Sequence, residues 1–270
     1  MRLVPHLLAT VAAALVAAAP LAVSPALPGE GNWDSIREAL FAGRELKDGA
    51  GVIALEAPDR AHDAAVVPLT IKALITQGAD RYVKTVHLVI DQNPAPVAGV
   101  FRFSPESGDA TVATRVRVNE YTPVHAVAET SDGQFYVVER FVKAAGGCSA
   151  PAGKDNTAAM ARLGQMRLKP QGAFAPGEPN RAQLLISHPN YSGLQIDQLT
   201  RNWIPPDYVR KVKVSYAGKP VLEIEGDISL SEDPSITFGF VPQGPAAMDV
   251  AVEDSQGRKF EKSFPVGAGS

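Results

Sequence analysis

The sequence predicts an all-β protein built as two β-sandwiches joined by an arm of small residues. Three observations lead there. Beyond residue 50, apolar residues recur at period two in short segments, which places one face of each segment in a core. Turn signals containing glycine, proline or Asp-Gly separate those segments at the short spacing of a sandwich. Finally, the run Ala144-Ala145-Gly146-Gly147-Cys148-Ser149-Ala150-Pro151-Ala152-Gly153 holds no large side chain and divides the strands into two sets.

Taken in order, residues 1–26 read as an export signal. Met1-Arg2 precedes an apolar core, Leu7 to Ala19, of signal length and too short to span a bilayer, followed by small residues. With no twin arginine, general secretion is the expected route, and the mature chain is expected in the periplasm, with no membrane segment of its own. Trp33, Ile36, Leu40 and Phe41 fall at helical spacing and Gly43 supplies a stop, so one short helix is expected over residues 33–42. Strands are then expected at 52–56, 66–74, 82–90, 100–103, 111–118, 126–129 and 135–139. Val86, Leu88 and Ile90 take the core face of the third, and Ser131-Asp132-Gly133 forms a hairpin turn between the last two. Residues 144–162 read as a flexible, exposed arm and linker, because paired glycines and alanines leave the backbone many conformations. The second set of strands is expected at 165–169, 182–186, 208–216, 220–225, 235–240, 248–252 and 258–264. The domains are therefore residues 27–143 and 163–270.

Composition narrows the function. The chain has 270 residues, 45% of them hydrophobic, with a formal charge of -3, so nothing in its charge favours nucleic acid. There is no Cys-x-x-Cys, His-Glu-x-x-His or Gly-x-Ser-x-Gly. Gly147 to Lys154 has the wrong glycine separation for a phosphate loop, and Asp155 stands where Ser or Thr is needed. His62, His87, His125 and His188 are scattered singly, so no metal site is expected. His87 is placed at a rim or in solvent, and His188 at a strand-closing turn. A soft copper set of Cys148, Met160 and Met166 is conceivable, but Met166 sits in an expected strand and reads as core.

That leaves Cys148. A structural free cysteine normally sits in a core, where it is inert. An unpaired cysteine in an exported chain points to intermolecular bonding or a reactive thiol. From the strand end near Lys143, five residues at about 3.3–3.6 Å each reach roughly 17 Å, enough to enter another protein's cleft. An incidental linker cysteine is the plainer alternative.

The first half is similar to SoxY in the runs Asp80-Arg81-Tyr82-Val83-Lys84-Thr85-Val86-His87-Leu88, Asn93-Pro94-Ala95-Pro96, Phe101-Arg102-Phe103-Ser104-Pro105 and Ala126 to Gly133, and in Gly146-Gly147-Cys148. The second resembles SoxZ through Leu185-Ile186-Ser187-His188-Pro189, Ile204-Pro205-Pro206-Asp207-Tyr208 and Val212 to Gly218. The whole resembles a fused SoxYZ-like sulfur carrier of the kind associated with quinoprotein dehydrogenases.

The resemblance implies two immunoglobulin-like sandwiches, no cofactor and no catalysis by the carrier itself. It implies that Cys148 is the covalent attachment point for thiosulfate or a related sulfur species. Gly146, Gly147 and Ser149 would supply the freedom of the arm. The implied partners are a periplasmic c-type cytochrome, other sulfur-oxidation enzymes and a quinoprotein dehydrogenase. The family's usual arm ends just past its cysteine, whereas here Ser149-Ala150-Pro151 leads into a second domain, so a partner must admit a loop. The rival reading is a docking module for a periplasmic quinoprotein dehydrogenase, with the cysteine incidental.

Overall fold

Two largely antiparallel sheets pack on one another, and each runs through both halves of the sequence. The computed structural model describes residues 32–78, 80–151 and 156–267; the export signal expected at 1–26 lies outside them. In chain order the first half supplies α1 (Trp33–Phe41), β1 (Leu46–Asp48), β2 (Ile53–Glu56), β3 (Val67–Ala73), β4 (Val83–Ile90), β5 (Val97–Phe103), a 3-10 turn (Pro105–Ser107), β6 (Val112–Val116), β7 (Thr122–Thr130) and β8 (Phe135–Val142). The second supplies α2 (Asn156–Met160), β9 (Met166–Gln171), β10 (Asn180–Ile186), β11 (Val209–Tyr216), β12 (Lys219–Gly226), β13 (Ser235–Phe240), β14 (Ala246–Asp254) and β15 (Lys259–Val266). No helix among the described residues is long and apolar enough to cross a membrane.

The larger sheet has the order β1-β8-β7-β4-β5-β12-β11-β14-β15, and the smaller β2-β3-β6-β13-β10-β9. Each half is thus a sandwich in its own right, as expected, but the two are fused edge to edge. In the larger sheet β5 pairs with β12, with Phe101 opposite Ile224 and Phe103 opposite Leu222. In the smaller, β6 pairs with β13 through Val112–Phe238 and Ala113–Thr237. Unpaired sheet edges are exposed templates for association, and this pairing removes four of them at once. The described residues form one compact unit in consequence.

The period-two signal explains the burial. In β4, Val86, Leu88 and Ile90 point into the shared core, as the alternation predicts. The opposite face is not simply solvent. Helix α1 lies over it, and Phe41 packs with Val127 and Phe135 as a second small cluster. His87 therefore sits half-buried with the Phe41 ring edge-on at 5.2 Å, not at a free rim. Trp33 stacks on His125 at 3.8 Å, and His125 reaches Asp91 at 3.0 Å and Glu139 at 3.1 Å. That bridge pins the start of the helix to the sheet.

The segment expected to be a free arm differs most. Residues 144–151 are ordered against the body, and part of the expected linker forms α2.

Candidate functional site

The site forms where the chain leaves β8. Gly146 adopts φ +79°, a left-handed conformation that favours glycine, and turns the chain inward. Its N–H donates to the Asn119 carbonyl at 2.8 Å, and the Gly147 N–H to Val118 at 2.9 Å. A side chain on Gly147 would meet the Ala64 carbonyl oxygen at 2.0 Å, so only glycine fits against that wall. Asn93 shapes the wall itself. Its amide nitrogen donates to the Arg117 carbonyl at 2.8 Å, and its oxygen accepts from the Asn119 N–H at 2.9 Å.

Behind this turn Cys148 is fully buried, with 0% of its surface exposed. The expectation of a displayed thiol is therefore corrected. Small residues were read as freedom, but the same small residues allow backbones to close to contact. Gly146 and Ser149 remain exposed, whereas Gly147 and Cys148 are buried.

Three side chains grip the segment, all through main-chain carbonyls. Arg117, only 2% exposed, donates Nη1 to Gly147 at 3.2 Å and Nη2 to the Asn190 carbonyl at 3.2 Å. Ser192 Oγ donates to the carbonyl of Cys148. Gln195 Nε2 donates to that of Ala150 at 2.8 Å, while its oxygen accepts from the Ser192 N–H at 3.1 Å. Asn190, Ser192 and Gln195 all come from the second half, in the connection 187–208 between β10 and β11. One half carries the cysteine and the other holds it down.

Burial sets the chemistry of the thiol. It pushes the Cys148 pKa up to about 11, and the Arg117 charge beside it offsets only part of that. Burial likewise draws Arg117 below the usual guanidinium range. The thiolate is the nucleophile, so the docked sulfur is close to inert at neutral pH.

The sequence missed Arg117, Asn190, Ser192 and Gln195. One signal was available: an apparently structureless connection of this length inside a compact domain is usually functional. The same connection carries His188, which is not merely a turn residue. Its Nδ1 accepts from the Asn190 N–H at 3.1 Å, and its Nε2 lies 3.6 Å from Asp207 and 3.5 Å from Asp254. One ligand atom from each of these three lies within 4.8 Å of the others. Arg258 already engages both carboxylates, Nε to Asp254 at 2.6 Å and Nη2 to Asp207 at 2.6 Å. The guanidinium supplies the positive charge the carboxylates need. Met166 is core and Met160 is exposed, so the two thioethers of the conceivable copper set lie in different environments.

Comparison with known proteins gives two family matches. The profile of the sulfur oxidation protein SoxY matches residues 37–148, and that of the sulphur oxidation protein SoxZ matches residues 166–265. No curated protein matches the chain. Among solved structures, the sulfur carrier protein SoxY from Chlorobium limicola f thiosulfatophilum is 22% identical, with TM-score 0.36, covering 42% of this chain and 91% of its own. A superoxide reductase (neelaredoxin) from Ignicoccus hospitalis is 12% identical, with TM-score 0.31, covering 34% of this chain and 79% of its own. The fibronectin(III)-like modules of Clostridium thermocellum CbhA are 11% identical, with TM-score 0.23, covering 80% of this chain and 93% of their own.

Proposed function

Residues 37–148 belong to the SoxY family and residues 166–265 to the SoxZ family of sulfur oxidation proteins, and on that premise we propose that the fused chain is a sulfur carrier bearing its cargo covalently on Cys148. The observation that carries this is positional. The chain's single cysteine is the last residue of the SoxY match, and the side chains that hold its segment take main-chain carbonyls alone.

In this reading the docked state is the resting state. Release of the segment returns the thiol toward its ordinary pKa of 9.0 from about 11. That return raises the thiolate fraction about 100-fold at neutral pH. The cargo is thiosulfate or a related sulfur species. For thiosulfate, the cysteine sulfur bonds to the terminal sulfur, the thiol proton is lost, and two electrons pass to a c-type cytochrome acceptor. The loaded segment is then presented to sulfur-oxidation enzymes, a quinoprotein dehydrogenase being one candidate. Cys148 is tethered on both sides, so each partner admits a loop. The carrier contributes attachment and presentation, and its partners the catalysis. The apolar leader at residues 1–26 supports a periplasmic location.

Intact mass spectrometry of the protein isolated from its host grown on thiosulfate tests the proposal. Sulfur-containing mass increments, removed by reductant and absent from Cys148→Ser, are expected. An unmodified thiol together with full sulfur turnover by Cys148→Ser would overturn it.

A further inference from the structure

We infer that a cleft between β9, β10 and β15 is a non-covalent binding site for a small inorganic dianion. The cleft, about 580 Å³, brings together Arg115, Arg162, Arg167 and Lys262, with only Asp233 and Glu261 of opposite sign. Four cations against two carboxylates leave a local excess of two positive charges, in a chain whose formal charge is -3. Such a concentration does not follow from composition.

Two carboxylates balance at most two of these four cations, and Lys262 also donates to the Met166 carbonyl at 2.9 Å. Asp233 accepts from the His188 N–H at 3.1 Å, and Arg162 approaches it only to 3.8 Å. Arg115 donates Nη2 to the Asp233 carbonyl at 2.8 Å, but its Nε–H is shielded from solvent and has no hydrogen-bond partner. A buried N–H without an acceptor is costly, and an acceptor from a ligand would offset that cost. Arg167 lies exposed at the mouth, and Arg162 is 37% exposed. Ser187 adds a hydroxyl beside Arg162, at 3.4 Å.

Several guanidinium donors converging on a half-enclosed space suit a compact anion with many acceptor oxygens, since charge-assisted bonds there are stronger than in open water. An excess of two charges matches a dianion. Sulfate, thiosulfate and hydrogen phosphate share that chemistry. The site is separate from the thiol and does not depend on it.

Isothermal titration at low ionic strength, with sulfate, thiosulfate and phosphate each against the whole protein and chloride as a control, tests the inference. Saturable one-to-one binding is expected. It should weaken at least tenfold in Arg162→Gln and in Arg167→Gln, the latter an exposed position that leaves folding intact. Affinity should be unchanged in Cys148→Ser, which removes the proposed cargo thiol without touching the cleft. Tighter binding of the sulfur oxyanions assigns the ligand to sulfur metabolism, and tighter binding of phosphate assigns it to the phosphate pool. No saturable heat with any of the three, or wild-type affinity in both arginine variants, overturns the site.

Discussion

Gln195, from the second half of the chain, donates its side-chain amide to the carbonyl of Ala150, 2.8 Å away and two residues beyond the cysteine. With Ser192 on the carbonyl of Cys148, it forms a clamp that is lost whenever the segment lifts. Each neutral hydrogen bond contributes about 1 kcal/mol net. Gln195→Ala combined with Ser192→Ala should therefore populate the released segment about tenfold or more. Labelling with an aromatic disulfide should accelerate by that factor, monitored by stopped flow. An unchanged rate would show that the clamp does not limit access.

Gly147→Ala tests the packing of the turn. The added methyl would lie 2.0 Å from the Ala64 oxygen and 2.7 Å from that of Val118. Overpacking of this kind costs about 1–3 kcal/mol, and lifting the segment relieves it. The variant should melt close to wild type while its thiol labels at the rate of a free cysteine. Wild-type protection of the thiol would contradict the seating described.

The thiol also links docking to pH. Its docked pKa of about 11 lies above its ordinary 9.0, so the docked state holds the proton more tightly. The thiol's contribution to docking is full below about pH 9 and is lost as pH rises through 11, a span of about 3 kcal/mol. Labelling rates corrected for thiolate fraction should rise across that window, and hydrogen exchange at residues 146–150 should rise with them. Flat corrected rates would sink the linkage.

Arg117→Met removes the shared donor. Two buried carbonyls, of Gly147 and Asn190, then lose a partner, at about 1–3 kcal/mol each. Urea unfolding should show a loss of that order, with faster thiol labelling. Full stability in the variant would mean that the guanidinium is replaceable there.

His188 carries the acid-side dependence. Burial lowers its pKa below 6.5, although the carboxylates of Asp207 and Asp254 pull the other way. A depressed histidine contributes stability that is present above 6.5 and lost as pH falls below it. Because Nδ1 accepts from the Asn190 N–H, protonation also loosens the residue whose carbonyl anchors Arg117. In His188→Asn the fall in melting temperature below pH 6.5 should shrink but not vanish, since His87 is lowered by burial too. An identical pH profile would remove His188 from this role.

Much of this was legible in the residues. Alternation located the strands of both halves, and four residues at helical spacing located α1, because burial of one face imposes its period on the sequence. The cysteine stood out by being single. The clamp did not, because Arg117 and Gln195 lie 31 residues before and 47 after Cys148 in sequence and carry no local pattern. Arg117 reads as one more surface cation until β6 and the 187–208 connection close around it.

By itself the sequence determined the all-β class, the two sets of strands and the position of the one cysteine between them, since each follows from local periodicity or composition. Only the tertiary structure decided that the two sets share their sheets and that the small-residue arm is seated. Edge pairing of β5 with β12, and closure of Gly147 onto Ala64, depend on which backbones meet, and local sequence does not encode that. Glycine permits motion and close approach equally, and the surroundings choose between them.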